Sequence, residues 1–236
     1  MSAHGPCEGL RAVRLPPLFL LLNLASAGCA LSERLPIEDP DQVSTRDISI
    51  TLAVTGSSTG TVVDVSLTGP GGGLWLSSTD DVRLGPLALA AVSKDGKRVY
   101  SASVPSLEGM LSLVVTRRAD EGIEVPIEVP PPPTMSAPTG LVVRSAPIAL
   151  AWAPPPATAT HEIQLHVRGT CIAPLDRTLG FDAGAYTIAA GDLLDGATKG
   201  ASCPITLSVE RRVNVQLMRV YGLVSQSRSI VVESTP

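Results

Sequence analysis

From Asp47 onward the apolar residues of this chain recur at every second position, and that period limits what it can fold into. Ile48, Ile50, Leu52 and Val54 share one parity while Ser49 and Thr51 take the other, the pattern of a half-buried strand. After the turn residues 56–60 the alternation resumes over 61–68, with Val63, Val65 and Leu67 on one face and Asp64 and Ser66 on the other. The Gly-rich cluster 69–73 marks a loop. Further strands are expected at 74–77, 84–92, 98–104 and 110–117. Lys94-Asp-Gly-Lys97 reads as a hairpin turn in which Gly96 takes positive φ. Residues 123–129 alternate cleanly but carry Pro126, which places them on a sheet edge. No segment sustains a 3.6-residue stripe, so the fold class is all-β.

Composition divides the chain. Pro130 to Pro133 form a stiff spacer between a first unit at 47–129 and a second at 139–236, with 130–138 as the linker. A role for this tract as a bound ligand is set aside, because the domains that read proline-rich segments are largely intracellular. Strands of the second unit are expected at 148–152, 161–168, 185–189, 204–211, 213–221 and 227–234. Trp152 shares parity with Ile148 and Leu150, which makes it a core residue. About seven short strands per unit is what an immunoglobulin-like sandwich requires.

The opening of the second unit, Ala137-Pro-Thr-Gly-Leu-Val-Val143 and then Ile148 to Trp152 before Pro154, resembles fibronectin type III modules. Those modules begin with a Pro-x-x-Leu-x-Val strand and place a core Trp on the next strand, just before a proline turn. Asp182-Ala-Gly-Ala-Tyr186 resembles the immunoglobulin tyrosine corner, whose Tyr hydroxyl bonds upstream backbone. The immunoglobulin pattern has Cys two residues later, where this chain has Ile188, so the usual immunoglobulin bridge is excluded. These resemblances imply two tandem immunoglobulin-like β-sandwich domains.

The N-terminal 28 residues read as an address. Arg11 and Arg14 precede an apolar run from Leu15 to Ala25, too short for the ~20 residues a membrane span needs and broken at its start by Pro16-Pro17. Ser26-Ala-Gly-Cys29 resembles a bacterial lipobox, which implies that Cys29 is lipidated and becomes the mature N-terminus. The pattern favours Leu where this chain has Ser26. Ala25-Ser-Ala27 also fits ordinary secretory cleavage, which would leave Cys29 as a thiol near the N-terminus of a soluble periplasmic or secreted protein. Cysteine arithmetic favours lipidation, since Cys171 and Cys203 then remain as an even pair. In lipoproteins of two-membraned bacteria, a residue other than Asp after the Cys, here Ala30, implies transfer to the outer membrane. Residues 29–46 are polar and aperiodic and read as a tether to that membrane.

Charge narrows the partners. The formal net charge is −4, and cleavage before Cys29 removes Arg11 and Arg14 but only Glu8 of the acids, which brings it to −5. That balance argues against nucleic acid and offers no polybasic membrane patch. Only six aromatics follow the address: Trp75, Tyr100, Trp152, Phe181, Tyr186 and Tyr221. Aliphatic side chains must therefore pack the core.

Few residues are candidates for chemistry. Cys171 and Cys203 are expected to form a structural disulfide in an oxidising compartment; the alternatives are a free pair or half a metal site, and no Cys-x-x-Cys or nearby His supports metal. His161 and His166 superficially suggest the zinc-protease His-Glu-x-x-His motif. Their spacing of five on a strand sends them to opposite faces, where they cannot share an ion. No Gly-x-Ser-x-Gly elbow, P-loop or calcium loop occurs. The carboxylate pairs Asp80-Asp81 and Asp192 with Asp195 sit in turn-like segments. Trp75, just after the glycine loop, is either core or a platform for a sugar or partner.

Neither a catalytic residue, a metal nor a cofactor is expected. As a whole the chain resembles bacterial envelope lipoproteins that have no assigned activity, a likeness that carries no site residues. The expectation is a non-catalytic structural or interaction module, anchored to the membrane by lipid and displayed to an envelope protein. The other reading is a small-ligand or glycan-binding protein that uses the loops around Trp75.

Overall fold

The computed structural model describes residues 39–136, 138, 140–154 and 161–236. The address 1–28, lipidation at Cys29 and tether residues 29–38 lie outside the described residues. The first half of the chain forms β1 (Ser49–Ser57), β2 (Gly60–Gly69), β3 (Gly72–Leu74), β4 (Asp81–Leu84), β5 (Leu87–Ala88), β6 (Ala90–Lys94), β7 (Lys97–Val104), β8 (Gly109–Thr116) and β9 (Ile123–Val129). The second half forms β10 (Thr134–Ser136), β11 (Val142–Val143), β12 (Ile148–Ala153), β13 (Glu162–Gly169), β14 (Leu175–Thr178), β15 (Ala185–Ile188), β16 (Cys203–Leu217) and β17 (Val220–Thr235). Two short 3-10 turns, Pro40–Gln42 and Thr45–Asp47, precede them. The chain is all-β, and its sheets pack face to face as sandwiches.

A ten-stranded sheet in the order β14-β13-β16-β17-β1-β2-β7-β6, with β11 on β17 and β3 on β2, runs through the whole body. A four-stranded sheet, β5-β4-β8-β9, covers one half of it, and a three-stranded sheet, β10-β12-β15, covers the other. The inward parity read from the sequence fills the first core: Ile50, Leu52 and Val54 of β1 meet Val63, Val65 and Leu67 of β2 and Leu113, Val115, Val125 and Ile127 of the covering sheet. The second core gathers Leu150 and Trp152, Ile163, Leu165 and Val167, and Ile205, Leu207 and Val209. Pro126 lies on β9, the edge strand of its sheet. Asp95 and Gly96 take φ of 52° and 73° in the β6–β7 turn, both positive as a tight hairpin requires.

Four expectations change. The strands expected at 204–211, 213–221 and 227–234 are two, β16 and β17, paired continuously from Cys203 opposite Ser234 to Leu217 opposite Val220. The strand expected at 84–92 is broken into β4, β5 and β6, because Gly85 at φ +56° and then Pro86 interrupt it. The stretch 130–138 is no free spacer: Pro130 and Pro133 are buried, and β10 pairs with β12. Nor do residues 139–236 close on themselves. β17 runs parallel to β1, with Ile50 opposite Val220 through Gly56 opposite Gln226, and Val215, Val220 and Val224 belong to the first core. One hairpin thus supplies strands to both halves.

The last residues of the expected tether are also part of the body. Asp39 and Ser44 cap the two 3-10 turns, and Val43 and Thr45 are buried. Buried Arg117 fixes them, with Nη1 donating to Val43 O (2.7 Å) and Thr45 Oγ1 (3.0 Å) and Nη2 donating to Pro40 O.

Candidate functional site

The expected disulfide is formed, with Cys171 and Cys203 joined at 2.03 Å and both buried. Arg144 encloses it: Nη1 donates to Cys171 Sγ (3.2 Å), Ala201 O (3.0 Å) and Ser234 Oγ (3.3 Å), and Nη2 reaches Asp195 (3.3 Å). Asp195 is thereby committed to structure. The other early carboxylates have similar duties, since Asp80 accepts from Arg118 N (2.9 Å) and Asp81 faces Arg83 at 3.7 Å.

The two histidines of 161–166 are separated as the strand period requires. His161 is buried, with Nε2 2.8 Å from Glu128 Oε1, a link from β9 to the start of β13. His166 lies on the outer face, with Nδ1 2.6 Å from Asp176 and Nε2 3.5 Å from Glu210. The hydrogen bond from His166, and then that from Arg168, holds the Asp176 carboxyl below the usual carboxylate range. Among the described residues no group of three metal-binding side chains forms.

Trp75 sits just past β3, half-buried and packed on the first core. The Arg98 guanidinium lies 4.6 Å above its ring, a cation–π contact that occupies an indole face. Beside it, Leu76 N donates to Tyr100 Oη at 2.7 Å. The structure thus gives this face of Trp75 to an intramolecular cation.

Sequence reasoning missed a cleft of about 620 Å³ at the end of the first core where the chain enters. Three distant segments build it: residues 44–46, residues 120–123 with Val125, and the β16–β17 turn at residues 218–220. Its floor is apolar, formed by Ile123, Val125 and Val220, and its rim carries Arg46, Arg219, Asp120 and Glu121. Asp120 Oδ2 accepts from Thr45 N (2.6 Å) and Ser44 Oγ (3.2 Å), and its Oδ1 accepts from Glu121 N (2.8 Å). The backbone N–H groups of Thr45 and Glu121 lower its pKa to about 2. Such a carboxylate stays ionised and hydrogen-bonded at neutral pH and is a poor proton acceptor. Arg219 Nη1 donates to Thr45 O (3.2 Å), which joins the hairpin turn to the entering chain. The volume lies in the range of small-ligand sites. The lining residues can bind and orient; the Ser44 hydroxyl among them, hydrogen-bonded to the Asp120 carboxylate, faces a poor proton acceptor.

One signal in the sequence marks this cleft. Inward residues of β16 are odd-numbered (Ile205, Leu207, Val209, Val215), whereas those of β17 are even-numbered (Val220, Val224, Val232). That change of parity locates the turn at Met218-Arg219.

No protein-family model matches the chain, and no curated protein matches it. Among solved structures it is similar to the crystal structure of chicken CNTN1 FN1–FN3 domains, at 11% identity and a TM-score of 0.28. The match covers 78% of this chain and 63% of that one, so the chain spans less than two thirds of its length. A likeness of that degree assigns no function.

Proposed function

We propose that this chain is an exported bacterial envelope lipoprotein, anchored to the outer membrane through Cys29, whose folded body is a non-catalytic module for structure or interaction. The observation that carries the reading is the β16–β17 hairpin. β17 alone has 16 residues, roughly 50 Å of strand, and the two strands form part of both cores. The chain enters the body beside the hairpin turn, while the disulfide and β11 lie at the opposite end of the hairpin. A continuous sheet of this kind holds its distal end at a fixed distance from the anchored end, which suits display and spacing. The arginines buried in the body support the same reading, because Arg117, Arg144 and Arg211 direct their Nη groups to backbone carbonyls or structural side chains.

Intact mass of the mature protein from a bacterial membrane fraction tests the anchor. A mass that begins at Cys29 and carries about three acyl chains supports it, since more than one chain is needed for stable attachment. A soluble product that begins at Gly28 overturns it.

A second reading, small-ligand binding, draws on the cleft with its apolar floor and charged rim. Sugar stacking on Trp75 is its weaker form, because Arg98 already lies over the ring. Loss of binding in Trp75→Ala with the fold retained would favour the Trp75 form; loss in Arg219→Ala would favour the cleft.

A further inference from the structure

We propose that the end of the body formed by the β16–β17 turn and the adjoining cleft seats in the lipid surface that holds the anchor. This rests on the lipidation of Cys29 proposed above. Met218 is 89% exposed at φ +51°, a conformation that non-glycine residues seldom adopt, and Leu217 (39%) and Tyr221 (47%) flank it. The turn therefore presents three apolar side chains outward, while the next inward residues, Val215 and Val220, are buried in the first core.

The position of the entering chain identifies what covers them. Thr45 is bonded to Arg219 of the turn, and Pro40 and Val43 are pinned by Arg117, so the chain joins the body at this end. Residues 29–38 separate Cys29 from Asp39 and can reach at most about 35 Å. A lipid surface within that distance meets the turn at high effective concentration.

Charge defines the mode of contact. Arg46 and Arg219 stand on the cleft rim, but Asp39, Asp41, Asp47, Asp120 and Glu121 lie on the same end and outnumber them. Attraction to anionic lipid does not drive the contact. Met218 and its neighbours enter the boundary between headgroups and acyl chains, and the two guanidinium groups meet phosphate oxygens. Seating should therefore occur on zwitterionic vesicles and depend little on salt.

The test uses the lipidated full chain in phosphatidylcholine vesicles, with an environment-sensitive fluorophore on Gln216→Cys beside the turn or on Val231→Cys far from it. Seating predicts a blue shift and quenching by brominated lipid at 216 and neither at 231. Adding Met218→Asp should abolish both effects at 216 while the protein stays vesicle-bound. Equal exposure of the two positions in a lipidated chain would overturn the proposal. So would a shift at 216 that appears without vesicles and grows with protein concentration, which would assign the turn to a second copy of the chain. If intact mass shows no acyl chains, the anchor reading fails on its own account. Coupling Cys29 to a maleimide lipid, with the fluorophore then carried at 216 or 231 on an azide-bearing residue in place of cysteine, tests seating independently, with the same outcomes.

Discussion

Oδ2 of Asp182 lies 2.6 Å from Nε of Arg211, and neither side chain is exposed to solvent. The other carboxylate oxygen takes Trp152 Nε1 at 2.8 Å and Gly184 N at 2.9 Å. The guanidinium in turn donates to Pro131 O at 2.6 Å and Pro154 O at 2.8 Å. One pair thus ties β16 to the core tryptophan, to the loop before β15 and to the proline stretch between the two cores. Removing one partner strands a buried charge, so Asp182→Ala should destabilise the protein by about 3–5 kcal/mol. The double variant Asp182→Leu with Arg211→Met should cost less than the single one. Urea unfolding of all three proteins checks both expectations.

Gly222 of β17 stands opposite Leu52 of β1. A Cβ built there would lie 1.9 Å from the carbonyl oxygen of Leu52, a backbone atom that cannot move aside. Gly222→Ala should therefore cost at or above the upper end of the ~1–3 kcal/mol typical of overpacking. The loss should concentrate in the first core. Amide exchange should rise at Ile50–Val54 while Ile163–Val167 keep their protection.

Acid should release the entering chain before it unfolds the cores. The Asp120 carboxyl, ordinarily near 3.8, is lowered to about 2 by hydrogen bonds from the Thr45 and Glu121 amides. A depressed folded-state pKa contributes stability that is fully present above the unfolded value and lost as the group protonates. The window therefore runs from about pH 4 down to about pH 2. Protection of the Thr45 amide should fall across it, and Asp120→Asn should show reduced protection already at neutral pH.

The Cys171–Cys203 bridge closes a loop with a sequence separation of 32. Chain entropy gives such a loop a contribution of ~3–4 kcal/mol. Cys171→Ser with Cys203→Ser should lower stability by that order. It should also free Arg144 from Cys171 Sγ, so exchange should increase first at Ala173 and Gly196, whose amides bond across this loop. A drop well under 1 kcal/mol would show that packing around Arg144 holds the region without the bridge.

Much of the fold was legible because period-two burial is a local property. Ile48 to Val54, Val63 to Leu67 and Ile163 to Val167 point inward as their parity requires, and Trp152 is in the core. The disulfide was legible for a different reason, since only two cysteines remain beyond Cys29. Partnership across the chain was not legible. Nothing in Ile50 or Val220 announces a parallel pairing, because both are simply inward β-branched residues. The cleft was hidden on the same ground, as its walls come from positions near 45, 120 and 219. Arg211 was the hardest to read. It occupies an inward position between Val209 and Val213, and only Asp182 and two proline carbonyls, remote in sequence, make a charge tolerable there.

The parallel pairing of β1 with β17 also sets a clock. β1 emerges early in synthesis, yet its partner, residues 220–226, follows about 170 residues later, a delay of about 10–35 s at ~5–20 residues per second. Throughout that interval the edge of Ile50 to Val54 is an unpaired, β-branched template open to other chains. The half made first thus stays incomplete until nearly the whole chain has been made. A chain with this topology folds slowly and benefits from a holding chaperone until its final hairpin arrives.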